Sequence, residues 1–171
     1  MVRNTPMNPV FYVIDTSYLL EMAACGRDSR PETSAAVRER LRKAQHHGGR
    51  FYVPLPCLFE LGDHIADVRD GRRRRKLAQW LLTTVAECLE SPNPWHITPT
   101  ADPATVLPPL LERFETYSVQ NTVGLVDTFA AMEAERLKTD FSKLKPLVHL
   151  WTNDRKLKAL EPDPAKLPLL W

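Results

Sequence analysis

Four carboxylates stand where a strand is predicted to end or where a helix passes close to a strand end: Asp15, Glu60, Asp127 and Asp154. The carboxyl ends of parallel strands meet at one edge of an α/β sheet, so side chains there converge on a common place. Oxygen ligands of this kind suit Mg²⁺ or Mn²⁺. The pattern therefore predicts a cage for hard divalent cations, and such a cage usually serves phosphoryl chemistry.

Two of the four acids come after apolar runs. Residues 10–14 (VFYVI) are β-branched and aromatic, which is typical of a strand buried on both faces, and Asp15 follows them directly. Residues 147–151 (LVHLW) form a second such run, and Asp154 follows it after two polar residues. For each of these aspartates the alternative is that it merely caps the next helix.

The other two acids lie on predicted amphipathic helices. Glu60 stands at the edge of the apolar stripe of a helix near 56–69, which prolines start. Asp127 adjoins the apolar stripe of a helix capped by Asn121 or Thr122, near the positive end of the helix dipole. A carboxylate on an apolar face needs a partner, because burying it unpaired is costly, and a metal ion would be such a partner.

Strands and helices alternate along the rest of the chain. A helix near 31–46 is predicted to begin at a capping box, Ser29-x-x-Glu32, and to end at Gly48-Gly49. The remaining predicted elements are a strand at 50–54, a helix at 73–90, a short strand at 95–98 and a helix near 103–117. Such alternation predicts a parallel sheet with right-handed crossovers.

Length and composition set the broad class. The 171 residues predict one domain with a sizeable core at about 10–160 and a Pro-punctuated tail at 161–171. No apolar run approaches the roughly 20 residues that a membrane helix needs, and the first residues lack the apolar core of a signal peptide. We therefore expect a cytoplasmic protein. Three cysteines, Cys25, Cys57 and Cys88, show no metal-site spacing and are interpreted as packing positions.

Taken together, the four acidic segments resemble the motifs of the PIN domain family of metal-dependent ribonucleases, in the family's order. The matching segments are VIDTSYLL, LPCLFELGDHI, GLVDTFAAMEAERL and LWTNDRKL, and they run from about Phe11 to Leu160. Within the family, the chain is most similar to the small bacterial VapC-like toxins. It departs from them by its length, chiefly through a Pro-rich stretch near residues 91–109 and a tail after Leu160.

The resemblance implies a three-layer α/β/α sandwich around a mostly parallel sheet and an endoribonuclease that binds one or two Mg²⁺ or Mn²⁺ ions. Asp15, Glu60, Asp127 and Asp154 would be the catalytic and metal-binding quartet. The supporting residues would be Thr16, Ser17, Thr152 and Asn153. The toxin-like members further imply a homodimer and an antitoxin protein as partner.

Two groups of basic residues are candidates for RNA binding. Arg69, Arg72, Arg73, Arg74, Arg75 and Lys76 crowd the junction of two predicted helices. Arginine clusters bind phosphates with geometric fit, although these charges could also be solvated around a turn or bind an acidic antitoxin segment. Arg155, Lys156 and Lys158 lie beside Asp154 in the sequence and are the stronger candidates for phosphate contact near the cleavage site.

Two other functions stay open. A phosphatase of the haloacid dehalogenase type would carry D-x-D after the first strand, and Ser17 at the third position of that motif counts against it. A catalytically degenerate domain of the same fold would bind RNA or protein without cleavage. No Ser-His-Asp set or G-x-S-x-G elbow is present, so covalent catalysis is not expected.

Overall fold

The computed structural model describes residues 8–25, 29–91, 93–98 and 102–164. Its elements are β1 (Val10–Ile14), α1 (Thr16–Ala23), α2 (Pro31–His46), β2 (Arg50–Pro54), α3 (Leu55–Ala66), α4 (Gly71–Glu90), β3 (His96–Thr98), α5 (Pro103–Asn121), α6 (Leu125–Asp140), β4 (Leu147–Trp151) and α7 (Arg155–Lys158). A short 3₁₀ turn at Ser142–Leu144 precedes β4. The predicted alternation of strands and helices is confirmed.

The four strands form one sheet in the order β3-β2-β1-β4, and every neighbouring pair is parallel. β1 is therefore an inner strand, with β4 on one side and β2 on the other. Because all strands run the same way, Asp15 after β1 and Thr152 after β4 lie side by side at the carboxyl edge. The Asp15 N–H donates to the Trp151 carbonyl at 3.0 Å, which extends the β1–β4 pairing to that edge.

Helices cover both faces of the sheet. Side chains alternate along β1, so Phe11 and Val13 pack in a cluster with α6 while Ile14 packs in a cluster with α1, α2, α3 and α4. Ala130 and Ala134 of α6 are fully buried, and their small size lets that helix lie close to the sheet, as predicted. The protein is thus an α/β domain of three layers with a parallel central sheet, which confirms the predicted fold class.

The start of α2 differs from the prediction. Ser29 and Glu32 form no capping box, because the Ser29 hydroxyl donates to Glu21 Oε1 at 3.1 Å and Arg30 is an N-cap without a side-chain hydrogen bond. Pro31 occupies the first helical turn, where a missing N–H costs nothing. Helix α1 was not among the elements predicted with bounds, and a helix after Asp15 was expected only in the alternative interpretation of that residue.

The cap of α6 also differs. Neither Asn121 nor Thr122 caps this helix, because α5 continues to Asn121 and Thr122 ends it in the left-handed conformation, with φ of 54°. The N-cap of α6 is Gly124, in extended backbone. Asp127 lies in the first turn of α6, near the positive end of the helix dipole, as predicted.

The Pro-rich stretch near 91–109 divides between β3 and the start of α5, with residues 92 and 99–101 outside the described part. Pro103 begins α5, and Pro108 and Pro109 lie within it.

The cysteines and the tail complete the fold. Cys25, Cys57 and Cys88 are free and buried, which confirms them as packing positions. Over the described ranges, no helix has the length and apolar character that a membrane crossing requires. Residues 165–171 of the predicted tail lie outside the described residues.

Candidate functional site

Asp15 is the most enclosed of the four carboxylates, with 4% of its surface exposed. Its Oδ2 accepts hydrogen bonds from Ser17 Oγ at 2.7 Å, from Ser17 N at 3.2 Å and from Thr152 Oγ1 at 2.9 Å. Burial raises the pKa of Asp15, and these hydrogen bonds lower it in part. Asp15 therefore caps α1, as its alternative interpretation held, and is held in one orientation at the edge of the sheet.

A hydrogen bond from the first residue of α1 holds Glu60 near the carboxyl edge of the sheet. Thr16, which follows Asp15 directly, donates from Oγ1 to Glu60 Oε2 at 2.6 Å. Helix α3 brings Glu60 to this position because Leu61 and its neighbour Leu58 face the core and fix the rotation of the helix. Thr16 thus couples the first and second acidic segments.

A second chain of hydrogen bonds joins β1 to the segment after β4. Thr152 Oγ1 donates to Asp15 and accepts from the Asp154 N–H at 2.9 Å. The Asn153 N–H donates to Ser17 Oγ at 3.0 Å. Of the four residues predicted to support the site, Thr16, Ser17 and Thr152 each donate a hydrogen bond to a predicted acid, and the Asn153 N–H donates to Ser17.

Asp154 is the outermost of the four acids. Its side chain is exposed, and Oδ1 accepts from the Lys156 N–H at 2.6 Å and the Leu157 N–H at 3.4 Å. Asp154 is therefore the N-cap of α7, which agrees with the alternative interpretation of this residue.

Asp127 is the acid whose pKa the charges of the other acids raise. Burial raises its pKa most, and the charges of Asp15 and Asp154 raise it further, to about 7. Glu60 adds a smaller effect in the same direction, while a backbone hydrogen bond from Gly124 opposes it. The other three predicted acids therefore all lie within electrostatic range of Asp127, although the four come from separate segments of the chain.

The donor set fits a hard cation in charge and chemistry. None of the ion pairs between described residues includes Asp15, Glu60, Asp127 or Asp154, so their negative charge is not neutralised by lysine or arginine there. In the observed side-chain conformations, however, no three Asp, Glu, His or Cys residues of the described part are grouped closely enough to hold a metal ion. Metal binding would require these side chains to turn toward one another.

The predicted RNA-binding residues divide into three cases. Arg155 and Lys156 are exposed next to Asp154, and Lys156 Nζ donates to Thr122 Oγ1 at the turn before α6. Lys158 is instead engaged in structure, since its Nζ donates to Glu161 Oε1 at 2.5 Å and to the Leu150 carbonyl at 2.8 Å. Lys158 is therefore a poor candidate for phosphate contact.

The third case is the arginine cluster. Arg72, Arg73, Arg74 and Arg75 are exposed in the first turns of α4, beyond the end of α3 that lies away from β2. They are not beside the carboxylates. The alternative interpretation was that these residues are solvated charges around a turn at Gly71. The arginines are exposed, but the turn is wrong, because Gly71 is the first residue of α4.

Two residues near the acids were not predicted from the sequence. Cys57 is fully buried, and its pKa is raised well above the usual value, first by burial and then by the charge of Asp15. A methyl group on Gly124 would lie 3.4 Å from Asp127 Oδ2, so the glycine leaves room for that carboxylate. Neither residue carries a local sequence signal, because both depend on contacts between distant segments.

No protein-family model matches the chain, and a search of curated proteins finds no significant match. The PIN domain family therefore remains a proposal carried by the four motifs and by the geometry of the acids.

Proposed function

We propose that this chain is a Mg²⁺- or Mn²⁺-dependent endoribonuclease of the PIN type that hydrolyses RNA phosphodiester bonds. Its metal-binding carboxylates would be Asp15, Glu60, Asp127 and Asp154. The observation that carries the proposal is the hydrogen bonding that joins the acidic segments at the carboxyl edge of the sheet, from Thr152 to Asp15 and from Thr16 to Glu60. The pKa of Asp127, which burial and then the charges of the other three acids raise, supports the same arrangement. Carboxylates that repel one another without a neutralising cation are typical of a site that awaits a divalent ion.

A bound divalent cation would supply an activated water and would neutralise charge that develops on the phosphate oxygens. The protein's part is to hold the ligands in place. Ser17 and Thr152 fix the orientation of Asp15, and Thr16 fixes that of Glu60. Such secondary contacts determine how well a metal ligand is oriented.

The position of the acids in the fold also supports the proposal. Open α/β sheets bind their ligands beyond the carboxyl ends of the strands. Asp15 follows β1 directly and Asp154 follows the adjacent β4 by three residues. Helices α3 and α6 bring the other two carboxylates to the same edge, from opposite faces of the sheet.

The runner-up function is a catalytically degenerate domain that binds RNA or protein. One observation favours it: Asp15 and Asp154 both cap helices, so two of the four acids have a structural role that requires no metal. Asp127 is not itself an N-cap, although it accepts a backbone hydrogen bond from the N-cap Gly124, which an asparagine could also accept. Its raised pKa makes it costly to keep charged. It is therefore the residue whose replacement separates the two functions.

The test is cleavage of a mixed single-stranded RNA pool with Mn²⁺ or Mg²⁺ by the wild type, Asp127→Asn and Asp63→Asn. Asp63 is a matched control, because it is an exposed acid on α3 one turn after Glu60. We expect metal-dependent cleavage by the wild type and by Asp63→Asn, and a loss of roughly 100-fold or more in Asp127→Asn. Asp15→Asn should lose cleavage as well.

Circular dichroism must show that each variant is folded. Unchanged cleavage by folded Asp127→Asn would contradict the proposed site. Absence of cleavage by a folded, metal-bound wild type would favour the binding function.

The resemblance to toxin-like members extends the proposal to a homodimer with an antitoxin partner. Light scattering after size-exclusion chromatography tests the homodimer directly.

A further inference from the structure

An open groove of about 520 Å³ separates the second half of α3 from the start of α4. Its α3 wall contains Gly62 and Ala66, and its α4 wall contains Arg74, Arg75 and Ala78. Nothing lies within 4 Å of the place where a side chain on Gly62 would begin. The groove therefore has a small-residue wall open to a ligand and a basic wall facing it.

The basic wall continues into a denser cluster of charge. Arg72, Arg73, Arg74, Arg75 and Lys76 are five consecutive exposed cations, and most of them line an adjoining concavity of about 840 Å³. Between the described residues, none of the five pairs with a carboxylate in a salt bridge. The charge of this cluster is thus available to an external polyanion.

The cluster is also badly placed for the stability of its own helix. The N-terminus of a helix carries partial positive charge, so cations there are unfavourable. Asp70, the N-cap, accepts from the Arg72 and Arg73 N–H groups and offsets only part of this charge. Arg73 and Arg74 donate to the backbone carbonyls of Ala24 and Val68, which leave the positive charge of the cluster unneutralised. An arrangement that costs helix stability and has no carboxylate partner is typical of a binding surface.

An exposed aromatic ring continues the same surface toward the carboxylates. Phe59 is 65% exposed and lies on α3 directly before Glu60. At helical spacing Phe59, Gly62 and Ala66 share one face, so the ring lies one turn from the groove. Exposed aromatic side chains that accompany a basic groove are typical stacking platforms for the bases of single-stranded nucleic acid.

The separation of these features suits a short stretch of one strand. Ala66 is six positions after Glu60, which corresponds to about 9 Å along a helix axis. That distance is about three nucleotides at the 3.4 Å rise per nucleotide along a duplex axis, and fewer in an extended single strand. A strand held by the arginines could therefore reach the carboxylates after passing Phe59.

We propose that Phe59, the α3–α4 groove and the arginine cluster form a binding track for single-stranded RNA that leads to the carboxylates. Phe59 stacks on a base, and Arg72 and Arg75 bind phosphates. The exposed Phe59 ring close to five consecutive cations favours nucleic acid over an acidic peptide, because nucleic acid offers bases that stack as well as phosphates. The direction of the strand toward a cleavage site rests on the proposed function, whereas binding itself does not.

The experiment measures binding of a fluorescein-labelled single-stranded RNA by fluorescence anisotropy, with EDTA present, over a series of salt concentrations. The variants are Phe59→Ala, Phe59→Tyr and Arg72→Gln/Arg75→Gln. The matched control is Arg42→Gln/Lys43→Gln, which removes two exposed charges from α2.

We expect Phe59→Ala to weaken binding roughly fivefold or more and Phe59→Tyr to restore it, because stacking needs a ring. Arg72→Gln/Arg75→Gln should bind more weakly and show a shallower salt dependence, with the slope of log K against log salt reduced by about 1.4. The control should change neither quantity substantially. The melting temperature of the arginine variant should stay equal to that of the wild type or rise, since repulsion within α4 is relieved.

Equal RNA binding by the wild type and the track variants would overturn the proposal. It would also be overturned if the α2 control lost as much affinity as the arginine variant, which would indicate non-specific attraction. Competition by poly-glutamate as effective as by RNA, with no effect of Phe59→Ala, would assign the surface to an acidic protein segment instead. Because EDTA prevents cleavage, a wild type that binds RNA but never cleaves it contradicts the proposed function and not the track.

Discussion

At the scale of single residues, the pKa of Asp127 links the folding stability of the protein to pH. Folding raises the pKa of Asp127 to about 7, so the folded protein holds a proton on this carboxyl at pH values where an ordinary aspartate is ionised. Burial and the charges of Asp15, Asp154 and Glu60 all favour the protonated form. The folded state therefore binds more protons than the unfolded state between about pH 4 and pH 7.

The first prediction is that Asp127→Asn raises stability in the absence of metal. Since the unfolded state has the lower pKa, the free energy of unfolding of the wild type should fall as pH rises through that interval, and the variant should lose this dependence. After allowance for solvent screening, we expect about 1 kcal/mol at neutral pH, or about 2–4 °C in melting temperature. Thermal melts in EDTA across that pH range measure it.

Mg²⁺ or Mn²⁺ should raise the melting temperature of the wild type and should have less effect on Asp127→Asn. Asp63→Asn serves as the control, because Asp63 is exposed on α3 and is expected to change little. If metal leaves the melting temperature of the wild type unchanged, and Asp127→Asn leaves the melting temperature in EDTA unchanged, the four acids do not share a site.

At the scale of elements, α1 is a short helix that positions Thr16 and Ser17 against the acids. Its last residue is Ala23, and the C-cap Ala24 has a φ of 52°, in the left-handed region. The Ala24 N–H donates to the Glu21 carbonyl at 3.1 Å. A residue with a Cβ is strained in this conformation, which glycine adopts readily. This end of α1 therefore carries strain that a glycine would remove.

The second prediction is that Ala24→Gly stabilises the protein. Relief of strain should exceed the added freedom of glycine in the unfolded chain, for a net gain of roughly 0.5–1 kcal/mol. Urea denaturation measures the change in the free energy of unfolding. The control is Ala23→Gly, one residue earlier within the helix, which should destabilise by about 1 kcal/mol. Equal losses in both variants would show that the left-handed cap is not a source of strain.

At the scale of the whole molecule, the outer edge of β4 is closed by side chains. The Val148 N–H donates to Asp163 Oδ2 at 2.8 Å, and the Leu150 N–H donates to Glu161 Oε1 at 2.8 Å. Lys138 Nζ binds Asp163 in turn, at 2.6 Å. Unpaired N–H groups at a strand edge can pair with a strand of another molecule. These two carboxylates accept hydrogen bonds from such N–H groups of β4 and so protect this edge.

The third prediction is that Asp163→Ala both destabilises the protein and promotes self-association. Burial alone would raise the pKa of Asp163, but hydrogen bonds from Lys138 and Val148 bring it below the usual value, so this contribution is present near neutral pH and is lost in acid. We expect a loss of about 1–3 kcal/mol in urea denaturation, and concentration-dependent association in size-exclusion chromatography.

Asp140→Ala is the matched control for this prediction. Asp140 is an exposed acid of α6 that pairs with Arg136, and such surface pairs contribute about 0–1 kcal/mol. An Asp163→Ala variant with the stability and oligomeric state of the wild type would show that the edge is protected by something else.

The sequence by itself determined the alternation of strands and helices, because buried strands such as 10–14 and 147–151 are continuous apolar runs. It also identified the acids and the polar residues beside them, since each follows a recognisable local pattern. It misjudged Ser29 and Thr122, which have the composition of helix caps but bond to other segments or end a preceding helix. Local patterns cannot show which distant group competes for a hydrogen bond.

The tertiary structure alone decided how the acids interact. The strand order places Asp15 beside Thr152, which lies 137 residues later in the chain, and their hydrogen bond follows from that adjacency. The raised pKa of Asp127 likewise depends on charges from three other elements and on burial, neither of which is encoded near residue 127. The groove that Gly62 and Ala66 share with Arg74 and Arg75 likewise exists only because α4 packs against α3. Electrostatic energy depends on distance through space, so only the folded chain fixes it.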